Sequence, residues 1–352
     1  MNDQVDAPRG DATTRDRILG SFYGVALGDA MGMPSELWPR RRVLEHFGQI
    51  TGFLPGPDGH FVVDGFVAGQ VTDDTQQTLM LARAIIAEDG RVDAEVVAKH
   101  LVAWADRVGA SEGNFLGPSS ARAIEALRNG ASAWDTGKTG ETNGASMRIA
   151  AVGIMSRPDD LAALVDRVEA ASVVSHHTDV AISGASLIAG TIAAAIDSPV
   201  GDDSDLDARL DAILETSYAA AALGFERGER VVAASVIARA KLAVWVARKN
   251  TTDTEFLQEL YELVGASVAT TDSVPAAIGL FVRAGGDPVR CCFLSANLGG
   301  DTDTIGAIAG GMCGAFSGFT SIPAEYIDKL NEVNDLDIED VVDHFLEYRA
   351  RR

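Results

Sequence analysis

Cysteine is scarce in this chain: Cys291, Cys292 and Cys313 are the only three among 352 residues. An odd count, an adjacent pair and no CxxC spacing argue against a disulfide framework, a cysteine-rich zinc site and a dithiol redox motif. A reduced, cytoplasmic setting is expected. Positive charge is also short, with 29 Lys and Arg against 51 Asp and Glu, a net charge of -22. Such a field repels a phosphate backbone, so nucleic acid is not an expected partner. A small anion would need local help from helix N-termini, backbone amides or bound cations. Long apolar runs are missing too. AISGASLIAGTIAAAI, from Ala181, falls short of the roughly 18 residues of a membrane span, so it reads as a buried helix and no membrane association is expected. The start, MNDQVDAPRGDATTRDR, carries several acids and lacks the basic flank and apolar stretch of a signal peptide.

What is present is the composition of a folded globular protein, 47% hydrophobic and 23% charged. Apolar residues recur at helical spacing in QQTLMLARAIIAE (76–88), VVAKHLVAWADRV (96–108) and FLQELYELVGASVA (256–269), which predicts an all-α protein. Phe47 to Val71 is different: Gly, Pro and aromatics mix there, predicting a long binding loop with one short hairpin. SPVGDDSDLDARLD (198–211) reads as an exposed acidic loop. We expect a disordered tail over 1–15 and one catalytic domain, a monomer, over 16–352. Glycine recurs every fourth residue at Gly20, Gly24, Gly28 and Gly32, and again at Gly306, Gly310, Gly314 and Gly318. Only close backbone packing offsets the roughly 1 kcal/mol that each interior helical glycine costs, which places both stripes at the centre.

Two acidic clusters precede apolar helical runs. Thr72, Asp73, Asp74 and Thr75 open one; Asp301, Asp303 and Thr304, after Gly299 and Gly300, open the glycine-striped other. Taken alone, the first is explained by capping, with Thr72 as N-cap and the aspartates complementing the helix dipole. The second supplies more carboxylate than capping requires. If the clusters meet, four carboxylates would repel one another unless a cation joined them. An all-oxygen donor set suits hard Mg²⁺, Mn²⁺ or Ca²⁺ better than Zn²⁺, and four carboxylates suit two ions better than one. Two independent caps remain the alternative.

GVALGDAMGMPSE (24–36), TDDT (72–75), NGASMR (143–148), SHHTDVAISGA (175–185), SVPAA (273–277) and ANLGGDTDTIGAIAGG (296–311) together resemble the ADP-ribosylglycohydrolase family. The motifs occur in the family's order. The resemblance implies a compact all-α fold with two Mg²⁺ or Mn²⁺ ions in a central cleft, held by Thr72, Asp73, Asp74, Asp301, Asp303 and Thr304. It places Glu36 beside the scissile bond and gives phosphate contacts to Gly117 and Ser119. Asn143, Gly144, Ser146 and Met147 would lie along ADP-ribose, with His176 near the diphosphate or distal ribose. Thr142 departs from the family's common glycine, and Asp29 reads as structural.

The expected activity is hydrolysis of the C1″ bond between ADP-ribose and a protein side chain, arginine preferred, on an ADP-ribosylated protein or small ADP-ribose conjugate. Glu36, Asp73 and Asp303 are the expected catalytic carboxylates. Serine-linked or O-acetyl-ADP-ribose hydrolysis, diphosphate hydrolysis releasing AMP, and a non-catalytic binding or structural role are the alternatives.

Overall fold

Helix formation follows the apolar spacing almost everywhere. The computed structural model describes residues 9–110, 116–199 and 205–351. The first half runs α1 (Arg9–Gly32), a 3₁₀ turn (Met33–Ser35), α2 (Arg40–Phe47), α3 (Asp73–Ala87), α4 (Ala94–Arg107), α5 (Pro118–Arg128), α6 (Ala133–Thr136), α7 (Gly144–Arg148), α8 (Ala150–Met155) and α9 (Leu161–Ser172). The second runs α10 (Asp179–Asp197), α11 (Leu206–Phe225), α12 (Val236–Ala247), α13 (Asp253–Glu259), α14 (Thr270–Ala284), α15 (Pro288–Ala296), α16 (Thr302–Ser317), α17 (Ala324–Val333) and α18 (Ile338–Ala350). Among the described residues, extended pairing is confined to isolated bridges at Trp38–Gly300, Thr142–Ala269 and Thr178–Glu229.

Both glycine stripes lie at the buried centre, as expected, and the structure packs them against each other. α1 and α16 run antiparallel: a Cβ on Gly24 would lie 2.2 Å from the Gly310 carbonyl oxygen, and one on Gly28 only 1.9 Å from that of Gly306. Gly20 faces Gly314 and Gly318 in the same way, and Gly32 faces Thr302. Backbone lies against backbone along the whole seam, so no side chain larger than hydrogen fits. α10 packs beside this pair. It is long and apolar enough by length and composition to cross a membrane, with a mean hydropathy of 1.7, yet its apolar window is wholly buried inside the protein.

Four expectations are corrected or narrowed. The hairpin within 47–71 is absent: the loop is held by turns, with Gly56 N–H donating to the Phe66 carbonyl at 3.0 Å and Phe66 N–H to Val63 at 3.1 Å. Its glycines and prolines favour tight turns over strand pairing. The helix over 256–269 ends early, in a wide π turn (Leu260–Val264) and Gly265 at φ 95°. The Asp272 carboxylate crowds Gly265, and the chain turns there to offer the Ala266 and Val268 carbonyls to Asp301 and Asn143. Apolar spacing reports burial and does not register such a turn. Of the expected tail, residues 9–15 belong to α1, while 1–8 lie outside the described residues. Within the expected acidic loop, 200–204 lie outside the described residues and Leu206 already begins α11.

Candidate active site

The glycine seam sets the C-terminal end of α1 beside the N-terminus of α16. Asp29, fully buried on α1, receives the Thr72 N–H at 3.0 Å, the Thr75 N–H at 3.0 Å and the Thr75 hydroxyl. It therefore caps α3 from a different helix, satisfying amides left without partners at the helix start. Thr72 is the N-cap residue by position but makes no side-chain cap bond. Its hydroxyl lies 2.9 Å from Asp29 Oδ1 and 3.0 Å from Asp74 Oδ2, sharing one proton between two carboxylates. The expected capping by the Thr72 side chain is thus corrected: Asp29 outcompetes it because a carboxylate accepts several bonds at once.

The start of α16 is shaped by Gly299 and Gly300, at φ 81° and 83°. A Cβ on Gly300 would stand 2.0 Å from the Ala266 carbonyl oxygen. Those two left-handed residues turn the chain so that Gly300 N–H donates to Trp38, Leu37 N–H donates to Gly300, and Asp301 N–H donates to Ala266. Glu36 emerges next to this knot, immediately after the 3₁₀ turn, and Asn143 Nδ2 donates to Asp301 Oδ2 at 2.5 Å.

Glu36, Asp73, Asp301, Asp303 and Thr304 then share the wall of one cleft of about 190 Å³. Burial is the main force on its acids. It raises Asp29 and Asp301 to about 6 and Asp73 to about 7, and holds Glu36, Asp74 and Asp303 well above the usual carboxylate range. Repulsion adds to it, from Asp301 and Asp73 on Glu36, and from Glu36 and Asp301 on Asp303. Beneath the cleft lies a buried cation, Arg148. It donates to Gln77 at 3.0 Å and to Ser175 at 2.7 Å, while Gln77 Nε2 donates to Asp73 Oδ2 at 2.8 Å. Burial lowers its pKa to about 10, partly offset by Asp73.

Gly117, Thr142, Asn143, Gly144 and Met147 form further parts of the cleft wall. Other residues expected at the surface of the site stand behind it. Thr72 and Asp74 are buried in the Asp29 network, and Ser146 is buried without a hydrogen-bond partner. Ser119 accepts from Thr142 at 3.1 Å, so Ser120 replaces it on the wall. His176 is fully buried, bonded to Thr142 at 2.8 Å and Ser175 at 2.8 Å. A Cβ on Gly144 would strike its ring at 2.6 Å, so this glycine makes room for His176. Sequence reasoning missed Ser120 and Arg148 and undervalued Asp29. The departure at Thr142 was visible, and its bonds to His176 and Ser119 are what that departure supplies.

Three carboxylate oxygens, Glu36 Oε2, Asp74 Oδ1 and Asp303 Oδ1, are buried without a hydrogen-bond partner. Among the described residues, no three His, Cys, Asp or Glu side chains already close as a cage around one point. The donor chemistry nevertheless fits a hard cation: among the described residues the cleft wall offers carboxylate and hydroxyl oxygens and no lysine or arginine, and buried carboxylate oxygens lack partners.

An all-α scaffold that buries clustered carboxylates at two helix starts, with a further glutamate alongside, defines a hydrolase-type acidic centre. The family model for ADP-ribosylglycohydrolase matches residues 10–352, and the chain belongs to that family. It is thereby an enzyme that hydrolyses glycosidic bonds of ADP-ribose. It is similar to the uncharacterized protein YegU of Escherichia coli K12, 40% identical over 96% of this chain and 98% of that protein. It is also similar to the ADP-ribosylarginine hydrolase Tri1 of Pseudomonas putida GB-1, 26% identical over 90% of this chain and 74% of that protein. The structure of an ADP-ribosylglycohydrolase-related protein complex shares the fold, with a TM-score of 0.68 and 22% identity over 96% of this chain and 99% of that one.

Proposed function

We propose that the cleft removes ADP-ribose from a modified side chain, with arginine the preferred linkage, and that two divalent cations, Mg²⁺ or Mn²⁺, work there. The observation that carries this reading is the meeting of the α3 and α16 acidic starts and Glu36 on one wall, with carboxylate oxygens unpartnered. Thr72, Asp73, Asp74, Asp301, Asp303 and Thr304 would hold the ions. Bound there, the ions would orient ribose hydroxyls and lower the pKa of a water.

The chain's own residues do the rest. C1″–N or C1″–O cleavage passes through an oxocarbenium-like state and needs a proton at the leaving atom or taken from water. Glu36 and the cleft aspartates are the groups able to carry that proton, and Glu36 Oε2 is uncommitted to any protein donor. Asn143 fixes Asp301, Gln77 fixes Asp73, and the buried setting strengthens every charge contact with substrate. The phosphates belong toward Gly117 and Ser120, where α5 begins and its N-terminal amides favour an anion. The arginine preference is supported by the name of the Tri1 relative.

The test offers purified protein with Mg²⁺ or Mn²⁺ peptides bearing ADP-ribose on arginine or on serine. Release of intact ADP-ribose, faster from arginine and abolished by EDTA and by Asp303→Asn, is expected. AMP as product, or full activity in EDTA, would sink the proposal.

A further inference from the structure

The Glu36–Leu37 peptide is held in an uncomfortable shape. Leu37 has φ 55°, the left-handed region that a leucine rarely adopts. Without restraint this peptide would rotate and carry the Glu36 side chain with it. Its N–H is tied to the Gly300 carbonyl at 2.7 Å. Its carbonyl oxygen is tied, at 3.0 Å, to Nε2 of a histidine from the long loop, His60.

His60 is buried, 4% exposed, and its ring is fully committed. Nδ1 accepts the N–H groups of Val62 at 3.1 Å and Val63 at 3.2 Å, so Nδ1 carries no proton. The proton therefore sits on Nε2 and points at the Glu36 carbonyl. The ring plane is also set by stacking: it lies 5.3 Å from Trp38 at 28° and 5.1 Å from Phe61 at 14°. Imidazole thus bolts the loop to the peptide that aims Glu36.

We infer that His60 is a positioning residue for Glu36, holding its backbone carbonyl so that the carboxylate stays aimed into the cleft. The inference rests on the proposed role of Glu36 in glycoside hydrolysis. Its logic is that a catalytic group displaced by about 1 Å loses about 100-fold in rate while the binding surface remains.

Two substitutions separate this role from simple loop support. His60→Gln places an N–H₂ near the position of Nε2 and keeps the bond to Glu36, but gives up the acceptor for Val62 and Val63. His60→Asn does the reverse, since its Oδ1 accepts the amides two and three residues on, and the bond to Glu36 is lost. Both are compared with the wild type and Glu36→Gln for kcat and KM on the ADP-ribosylarginine peptide, with thermal unfolding in parallel. The expected result is kcat within about 5-fold of wild type for His60→Gln, and a fall of about 100-fold for His60→Asn with KM within about 3-fold. The opposite ranking, equal losses, or two fully active variants would overturn the inference. Full activity of Glu36→Gln would remove the role of Glu36 instead, and no release of ADP-ribose by the wild type would remove the glycohydrolase reading itself.

Discussion

Gly28→Ala is the sharpest perturbation the fold offers. The new methyl would sit 1.9 Å from the Gly306 carbonyl oxygen and 2.2 Å from its carbon, atoms of another helix's backbone with no rotamer to change. An ordinary contact needs a separation of roughly 3.5 Å, so α1 and α16 must part by about 1.5 Å or bend locally. Overpacking of this kind costs about 3 kcal/mol, and the helix propensity gained by replacing glycine returns about 1 kcal/mol. A net loss of about 2 kcal/mol or more is expected, read as a lower urea midpoint at unchanged slope. Gly52→Ala is the control: nothing lies within 4 Å of its Cβ position, so its midpoint should move by less than about 0.5 kcal/mol equivalent. Because Asp29 follows Gly28 and Thr304 lies two residues before Gly306, parting the helices also separates the two acidic starts. Activity should therefore fall further than stability explains, by about 100-fold. A Gly28→Ala protein with wild-type midpoint and rate would refute the claim that backbone contact along this seam positions the site.

Further outcomes are expected. Asp29→Asn replaces an acceptor of four donors with a group that presents N–H₂ to some of them; it should cost about 1–3 kcal/mol in thermal unfolding and reduce hydrolysis by loosening the start of α3. In EDTA, stability should fall as pH rises from about 5 to 7.5, because Asp301 at about 6 and Asp73 at about 7 keep protons in the folded state that the unfolded chain has released. Asp301 alone contributes on the order of 1 kcal/mol to the loss between pH 5 and 7.5, and Mg²⁺ or Mn²⁺ at pH 7.5 should restore it; a melting temperature that climbs across this window in EDTA would contradict the assignment. Arg148→Met takes the donors away from Gln77 and Ser175 in a fully buried setting and should destabilise by about 1–3 kcal/mol in denaturant titration, with Asp73 less well held.

Much of this was legible because some sequence signals are local. The glycine stripes announce contact, since a glycine every fourth residue has no other use in an apolar helix, and the clustered Asp and Thr residues announce helix starts with surplus charge. What escaped were partnerships between distant segments. Asp29 lies 43 residues before the helix it caps, and nothing around it marks it as a cap. His60 sits in a loop whose composition suggests a hairpin, and its ties to Glu36 and to Val62 and Val63 exist only once the loop has folded back. Ser119 and Ser120 are indistinguishable as letters; the helical rotation between neighbours decides which faces the cleft. The same periodicity that located α13 could not show Gly265 ending it, because apolar residues continue beyond the turn to serve other contacts.

The seam between α1 and α16 also has a consequence in time. α1 emerges from the ribosome before α16, as an apolar, glycine-rich segment, and the surface it fits, met for example where Gly32 accepts from Thr302, lies 270 residues downstream. At about 5–20 residues per second, that partner follows some 14 to 54 s later. Until then Asp29 can cap α3, but Asp73 has no Asp301 or Asp303 beside it, and the cleft wall is incomplete. The cleft therefore comes into being only once α16 has been made, and a chain cut short before Asp301 lacks half of its acidic wall.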